Sequence, residues 1–194
     1  MTSNLESLKH HINRFTQIAD QEFEDISPYF EVREARKKEI LLQADNICND
    51  HFFVVTGCLR MYFLNKKGIE HTTEFALENW WLTDQMAYLN KEYTTCYIQA
   101  VETSTVLKLS KSAEEKIIQC YPAMKEYFLH IYQKAFAAAQ KRSMFFREYS
   151  REDLFLHFNS NFPKFIQRVP QYLIASYLGF TPEYLSEIRK KIIS

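Results

Sequence analysis

Residues 174–191 of the sequence read IASYLGFTPEYLSEIRKK, and their spacing predicts two short amphipathic helices joined at a glycine. Ile174, Ala175 and Leu178 fall on one face of the first helix. Gly179 can adopt the left-handed backbone conformation that ends this helix. Two aliphatic residues follow ten and thirteen positions after the alanine. These offsets let two helices cross closely and predict a helix-turn-helix, with an ordinary helical corner as the alternative.

The second helix of this pair has a clear start and a polar outer face. Thr181 can cap it, and Pro182 suits its first position because a missing N–H costs nothing there. Leu185 and Ile188 would bury its inner face. In a DNA reader this helix would lie in the major groove, with cations on phosphates and hydroxyl or carboxylate groups on base edges. The predicted DNA-contacting residues are Thr181, Pro182, Glu183, Ser186, Glu187, Arg189, Lys190 and Lys191.

The charge of the chain is balanced overall but uneven along its length. The 24 basic and 24 acidic residues cancel. Residues 1–140 hold 15 basic and 19 acidic residues, whereas residues 141–194 hold 9 basic and 5 acidic ones. The C-terminal part therefore carries a net charge of +4, which favours an anionic partner there.

The texture of the sequence changes twice before that C-terminal part. Residues 1–29 predict two short helices, and residues 32–109 contain short β-like runs broken by turns such as Asn65–Gly68. Such strands predict a small barrel or a double-sheet jelly roll (a double-stranded β-helix), with a hairpin around that turn. We expect an α+β fold with three domains, a β-roll with N-terminal helices (1–120), a long helix (121–149) and the helix-turn-helix (150–194).

The long helix carries apolar residues at alternating spacings of four and three after Pro122. About three heptads of this kind suffice for a two-stranded coiled coil. We therefore predict a dimer seam, while packing of the helix against its own roll is the alternative, and both can hold on different faces. The predicted seam consists of Met124, Phe128, Ile131, Ala135, Ala138, Arg142 and Phe145.

Patterns typical of catalysis or metal binding do not occur in the sequence. It has three glycines and no GxSxG, HExxH or glycine-rich phosphate loop, so we predict no enzyme, no catalytic residue and no cofactor. His71 and Glu74 are three apart and would point to opposite faces of a strand, so no metal site is predicted. Four cysteines without a CxxC pair are expected to be reduced thiols in the cytoplasm. No apolar run of roughly 18 residues predicts a membrane span.

The segments IASYLGFTPEYLSEIRKK and FPKFIQRVPQ, in the order β-roll, long helix and helix-turn-helix, resemble the Crp/Fnr family of the cyclic-AMP receptor protein. The similarity extends over nearly all 194 residues, particularly to the short Bacteroidetes-type versions, for which we expect no β-wing. The resemblance implies a cyclic nucleotide-binding-like sensor roll, a long helix that joins two subunits, and a helix-turn-helix that binds a palindromic operator to regulate transcription. RNA polymerase is a further candidate partner.

The chain departs from the family pattern on the second helix and in the roll. Glu187 follows Ser186 where family members carry arginine, so a DNA-contacting cation is replaced by an anion. Members that bind cyclic nucleotides have a Gly-Glu pair for the ribose and an arginine for the phosphate. Alignment puts Thr83 and Asp84 at the pair and Thr94, followed by Thr95, at the arginine. Without a cation for a buried phosphate, we expect these four residues to line a pocket for a different effector, or for none.

These observations predict a cytoplasmic, homodimeric transcription regulator of the Crp/Fnr type. Its expected partners are duplex DNA, a second copy of the chain and a small molecule other than cyclic AMP. The alternative is a dimeric ligand-sensing or interaction protein that has lost sequence-specific DNA binding, which the anionic Glu187 favours.

Overall fold

The computed structural model of the chain describes residues 3–193. Within this range the helices are α1 Ser3–Ile12, α2 Asp20–Ile26, α3 Gln85–Asn90, α4 Lys111–Cys120, α5 Pro122–Glu148, α6 Arg151–Asn161, α7 Pro163–Arg168, α8 Gln171–Leu178 and α9 Pro182–Ile193. The strands are β1 Phe30–Ala35, β2 Ile40–Leu42, β3 Asp50–Thr56, β4 Leu59–Leu64, β5 Glu70–Ala76, β6 Trp81–Leu82, β7 Cys96–Ala100 and β8 Ser104–Ser110.

The strands form two four-stranded sheets, one in the order β1-β8-β3-β6 and the other in the order β2-β7-β4-β5. Buried side chains from both sheets share one core, in which Phe52, Val54 and Val106 of the first sheet meet Leu59 and Ile98 of the second. This arrangement is a double-sheet jelly roll, which confirms the predicted α+β fold. β4 and β5 are neighbours in their sheet, as the turn between them predicts.

β3 is buried on both faces, which explains the packing of helices against the roll. Phe52 and Val54 belong to the core between the sheets, whereas Phe53 and Val55 belong to a second core on the outer face. A strand with two apolar faces needs cover on both sides. The outer cover comes from α1, α2, α4 and the start of α5, through Leu8, Ile12, Phe23, Ile26, Ile117, Met124, Phe128 and Ile131.

The chain divides into two compact units. The roll unit comprises Met1–Phe63 and Glu74–Gln133, and the helical unit comprises Leu64–Thr73 and Lys134–Ser194. The tip of the β4–β5 hairpin thus groups with the C-terminal helices, which the sequence did not predict. The boundary between α5 and α6 is sharp, because the Ser150 hydroxyl accepts a hydrogen bond from the Asp153 amide at 3.2 Å and caps α6.

The helices of the helical unit pack through aromatic and aliphatic side chains. The ring of Phe158 lies 5.6 Å from the rings of both Phe165 and Tyr177, between centroids. Leu154, Phe155, Phe165, Ile166, Val169, Leu173 and Ile174 are buried. This packing fixes α8, which positions the turn and the helix that follow it.

Candidate nucleic-acid interface

The turn between α8 and α9 has the geometry that its sequence predicts. Gly179 has φ 74° and ends α8 in the left-handed conformation, and the Phe180 amide donates to the Ala175 carbonyl at 2.8 Å. The Thr181 hydroxyl accepts from the Tyr184 amide at 3.2 Å and caps α9. Ala175 is fully buried together with the later aliphatic pair, Leu185 and Ile188. Two short helices therefore meet at a tight glycine turn with their apolar faces together.

The opposite face of α9 is polar and open. Thr181, Pro182, Glu183, Ser186, Glu187, Lys190 and Lys191 are exposed, and Arg189 is half-buried. The Lys191 ammonium lies 3.0 Å from a carboxylate oxygen of Glu152 on α6, and this pairing raises the pKa of Lys191. The predicted DNA-contacting residues thus lie on α9 or, for Thr181, at its N-terminal cap. The open face of α9 mixes two carboxylates with its cations.

The difference in net charge is larger between the two compact units than between residues 1–140 and 141–194 of the sequence. The helical unit holds 12 basic and 6 acidic residues, a net charge of +6. The roll unit holds 12 basic and 18 acidic residues, a net charge of −6. The hairpin tip contributes Lys66 and Lys67 to the positive side. An excess of cations around a helix-turn-helix is the electrostatic footprint of a nucleic-acid-binding unit.

In the roll, two of the four predicted pocket residues, Asp84 and Thr94, bond each other. The Thr94 hydroxyl donates to the Asp84 carboxylate at 2.6 Å, and Asp84 also accepts from the Ala87 amide and caps α3. The Thr83 hydroxyl donates to the Asp50 carbonyl at 2.8 Å, while Thr95 is exposed. Thr94 and Asp84 therefore bond each other, and Asp84 contributes a carboxylate to this part of the roll. The arrangement suits an anionic phosphate poorly, because like charges repel.

A buried polar junction below α3 was not predicted from the sequence. Glu114 of α4 accepts hydrogen bonds from the hydroxyls of Tyr88 of α3, at 3.0 Å, and Tyr132 of α5, at 2.7 Å. His51 of β3 lies 3.3 Å from the same carboxylate, and Lys111 lies 3.8 Å from it. Glu114 is 1% exposed. One carboxylate therefore ties two helices and a strand to its own helix, inside the roll unit.

Burial and the neighbouring polar groups have opposite effects on the pKa of Glu114. Burial alone would raise the pKa of Glu114. The hydrogen bonds of His51 and of the Tyr132 hydroxyl, together with the nearby Lys111 ammonium, outweigh burial and hold the pKa of Glu114 below its ordinary value. Burial and the Glu114 charge also raise the pKa values of the Tyr88 and Tyr132 phenols, so both phenols remain donors.

The long helix uses the first half of the predicted seam within its own subunit. Met124, Phe128 and Ile131 are buried in the outer core of the roll unit. Further along, Ala135, Arg142 and Phe145 are half-buried and Ala138 is exposed. A second series, apolar except at Ser143, runs one residue later with the same alternating spacing, and we call it the exposed stripe. It consists of Leu129, the half-buried Tyr132, Phe136, Ala139, Ser143 and Phe146.

This architecture is similar to that of several solved transcription regulators. FixK2 from Bradyrhizobium japonicum aligns with a TM-score of 0.69 at 16% identity, over 84% of each chain. The c-di-GMP-responsive global regulator CLP from Xanthomonas campestris aligns with a TM-score of 0.72 at 12% identity, over 90% of this chain and 91% of that one. A Crp/Fnr-family regulator from Eubacterium rectale aligns with a TM-score of 0.67 at 14% identity, over 90% and 83%.

The chain has the Crp/Fnr fold. This confirms the resemblance that the sequence predicts. Residues 32–121, most of the roll unit, match the cyclic nucleotide-binding domain family. No curated protein matches the sequence closely enough to count as a relative.

Two further findings concern the described part of this Crp/Fnr fold. None of the helices within residues 3–193 has the length and apolar character needed to cross a membrane. Within the same range, no three His, Cys, Asp or Glu side chains are grouped so that they could hold a metal ion. His71, considered above as a ligand, lies with its Nε2 atom 2.9 Å from the Asn65 side-chain nitrogen.

Proposed function

We propose that the chain is a homodimeric transcription regulator whose α9 helix reads duplex DNA. The observation that carries the proposal is the α8–α9 pair, a capped helix with an open polar face, within a unit of net charge +6. Hydroxyl and carboxylate groups on α9 would contact base edges, and its cations would contact phosphates. The activity belongs in the cytoplasm, where the operator and RNA polymerase are found.

The dimer would form along the exposed stripe of α5. Leu129 is 55% exposed, Phe136 is 66% exposed and Phe146 is 41% exposed. Large apolar side chains that lie together on a surface mark an interaction site. Their spacing is that of the seam positions in a coiled coil. The α9 helices of the two subunits would be related by the two-fold axis of this dimer. They would contact two half-sites of a palindromic operator, about 34 Å apart.

Control by a small molecule would act through the Glu114 junction. A ligand in the roll that displaces α3 would move Tyr88, and Glu114 would carry that displacement to Tyr132 at the start of the exposed part of α5. Because Thr94 stands where an arginine would pair with the phosphate, and its hydroxyl bonds the Asp84 carboxylate instead, the effector is a molecule other than cyclic AMP.

Selection of genomic fragments with the purified protein, at low and high salt, tests DNA reading. We expect enrichment of a two-fold symmetric site that salt weakens. The double variant Lys190→Gln/Lys191→Gln should bind this site more weakly. Its control, Lys37→Gln/Lys38→Gln, makes the same charge change in an exposed turn of the roll unit and should bind normally.

A dimeric sensor without sequence-specific DNA binding is the second candidate. Glu183 and Glu187 on the open face of α9 would repel phosphates, and Lys191 is already paired with Glu152. Absence of any enriched site at either salt concentration, from a protein that sediments as a dimer, would favour this function over the first.

A further inference from the structure

The tip of the β4–β5 hairpin, residues 65–73, contains a turn that its own hydrogen bonds close. The Asn65 carboxamide oxygen accepts from the Lys67 amide at 2.9 Å and from the Ile69 amide at 3.1 Å. The Asn65 carbonyl also accepts from the Gly68 amide at 2.9 Å. The side chain and the carbonyl of Asn65 together close the turn. Lys66 and Lys67 stand exposed at its end.

Ser176 of α8 binds this hairpin to the helix-turn-helix. Its hydroxyl accepts from the Thr72 amide at 2.9 Å and donates to the Glu70 carbonyl at 2.9 Å. β5 is the last strand of its sheet, so these two backbone groups lie on an open edge. A hydroxyl that donates and accepts at once replaces the missing neighbouring strand. The bridge holds the hairpin against the first helix of the DNA-reading pair.

The open face of α9 is short of cations for its task. Glu183 and Glu187 offset part of its positive charge, and Glu152 pairs with Lys191. Affinity for duplex DNA rises with the number of phosphates that cations neutralise. Cations outside α9 but fixed to the same unit would make up the difference, and the hairpin carries two of them.

We propose that the hairpin tip is part of the DNA-contacting surface, with Lys66 and Lys67 binding backbone phosphates and Ser176 holding them in place. This inference rests on the proposed function, since it extends the surface of the same reader. The two lysines contribute sequence-independent affinity and orientation, because phosphate contacts carry no base information. Ser176 is a positioning residue.

The decisive experiment compares the salt dependence of DNA binding by Lys66→Gln/Lys67→Gln and by the control Lys37→Gln/Lys38→Gln. Fluorescence anisotropy would follow a labelled duplex of the enriched site and a scrambled duplex of equal length. The plot of log K against log salt has a negative slope, and each lost phosphate contact reduces its magnitude by ~0.9. The magnitude should therefore be smaller by ~1.8 per subunit in the hairpin variant, on both duplexes. The control should keep the wild-type slope.

Ser176→Ala tests the bridge separately. The variant should lower DNA affinity, and hydrogen exchange at the Thr72 amide should become about tenfold faster or more. Ser176→Thr keeps the hydroxyl and should preserve both the affinity and the slow exchange.

The outcomes separate this inference from the proposed function. An unchanged slope for Lys66→Gln/Lys67→Gln, in a protein whose wild type binds the duplex, overturns the inference and leaves the reader intact. A wild type that binds neither duplex at low salt overturns both.

Discussion

Gly179 and Gly57 both have left-handed backbones, but the two glycines meet different surroundings. At Gly179, where φ is +74°, an added Cβ would find no atom within 4 Å. At Gly57, where φ is +99°, it would lie 2.2 Å from the Ser104 hydroxyl oxygen and 2.6 Å from the Ser104 Cα. The first glycine is needed for its conformation alone, and the second also for space.

The two alanine variants should therefore differ in stability. Gly179→Ala should lower the free energy of unfolding by about 1–2 kcal/mol, the cost of a left-handed residue. Gly57→Ala adds a clash with backbone and should cost about 1–3 kcal/mol more. Chemical denaturation of both variants measures the difference, and equal losses would contradict the geometry around Ser104.

Glu114 is the residue on which the roll unit depends electrostatically. Glu114→Gln removes the charge that faces His51 and Lys111 and should lower the free energy of unfolding at neutral pH by about 3 kcal/mol. Glu115→Gln is the matched control on the same helix. It breaks only a partly exposed ion pair with Lys91 and should cost about 0–1 kcal/mol.

The cost of Glu114→Gln should depend on pH in one direction. Folding lowers the pKa of Glu114, so its charge stabilises the fold above the unfolded value of about 4.3, and this contribution is lost as the pH falls further. The gap between wild type and variant should narrow below pH ~4. Denaturation curves across this range provide the check, and a gap that stays constant would show that the charge of Glu114 contributes nothing.

At the scale of elements, α5 shows what its sequence could and could not predict. The residues around Gly179 define a turn through local spacing alone, and that turn forms as predicted. The alternating pattern of α5 predicts a buried face, but periodicity does not tell which surface buries it. Met124 and Phe128 pack on their own roll, and a parallel apolar series lies one residue later. The Ser176 bridge joins residues about a hundred positions apart and has no local signal.

A matched pair of adjacent alanines on α5 distinguishes the two seams. Ala138 belongs to the seam predicted from the sequence, and Ala139 belongs to the exposed stripe; both are exposed. A carboxylate buried in a dimer interface without a partner is costly. Ala139→Glu should give a monomer in analytical ultracentrifugation, and Ala138→Glu should remain a dimer. The reverse result would move the interface to the predicted seam.

At the scale of the whole molecule, the roll has the cyclic nucleotide-binding fold, and two of its predicted pocket residues bond each other. The Thr94 hydroxyl donates to the Asp84 carboxylate at 2.6 Å, and these are the positions that the resemblance aligns with the arginine and the glutamate of cyclic nucleotide-binding relatives. The fold could be predicted from the runs of β-forming residues. The hydrogen bond between Thr94 and Asp84 could not, because it depends on distances that the sequence does not contain.

Cyclic AMP should therefore leave the unfolding temperature of the protein unchanged. A ligand present at 100 times its dissociation constant would stabilise the fold by ≈ 2.7 kcal/mol, a shift that differential scanning fluorimetry resolves easily. We expect no shift at millimolar nucleotide. A clear rise would mean that the Thr94–Asp84 bond opens to admit a phosphate.

The double burial of β3 decides where this chain can be cut. A fragment ending at Cys120 would keep every strand but lose the cover that α5 gives to Phe53 and its neighbours. Met124, Phe128 and Ile131 would leave with it, at about 1.5–3 kcal/mol for each fully buried side chain. Such a fragment would expose the apolar outer face of this sheet to water and would aggregate. A fragment that extends through Gln133 keeps the α5 residues that cover the outer face of β3. It is the fragment, shorter than the full chain, to crystallise with an effector.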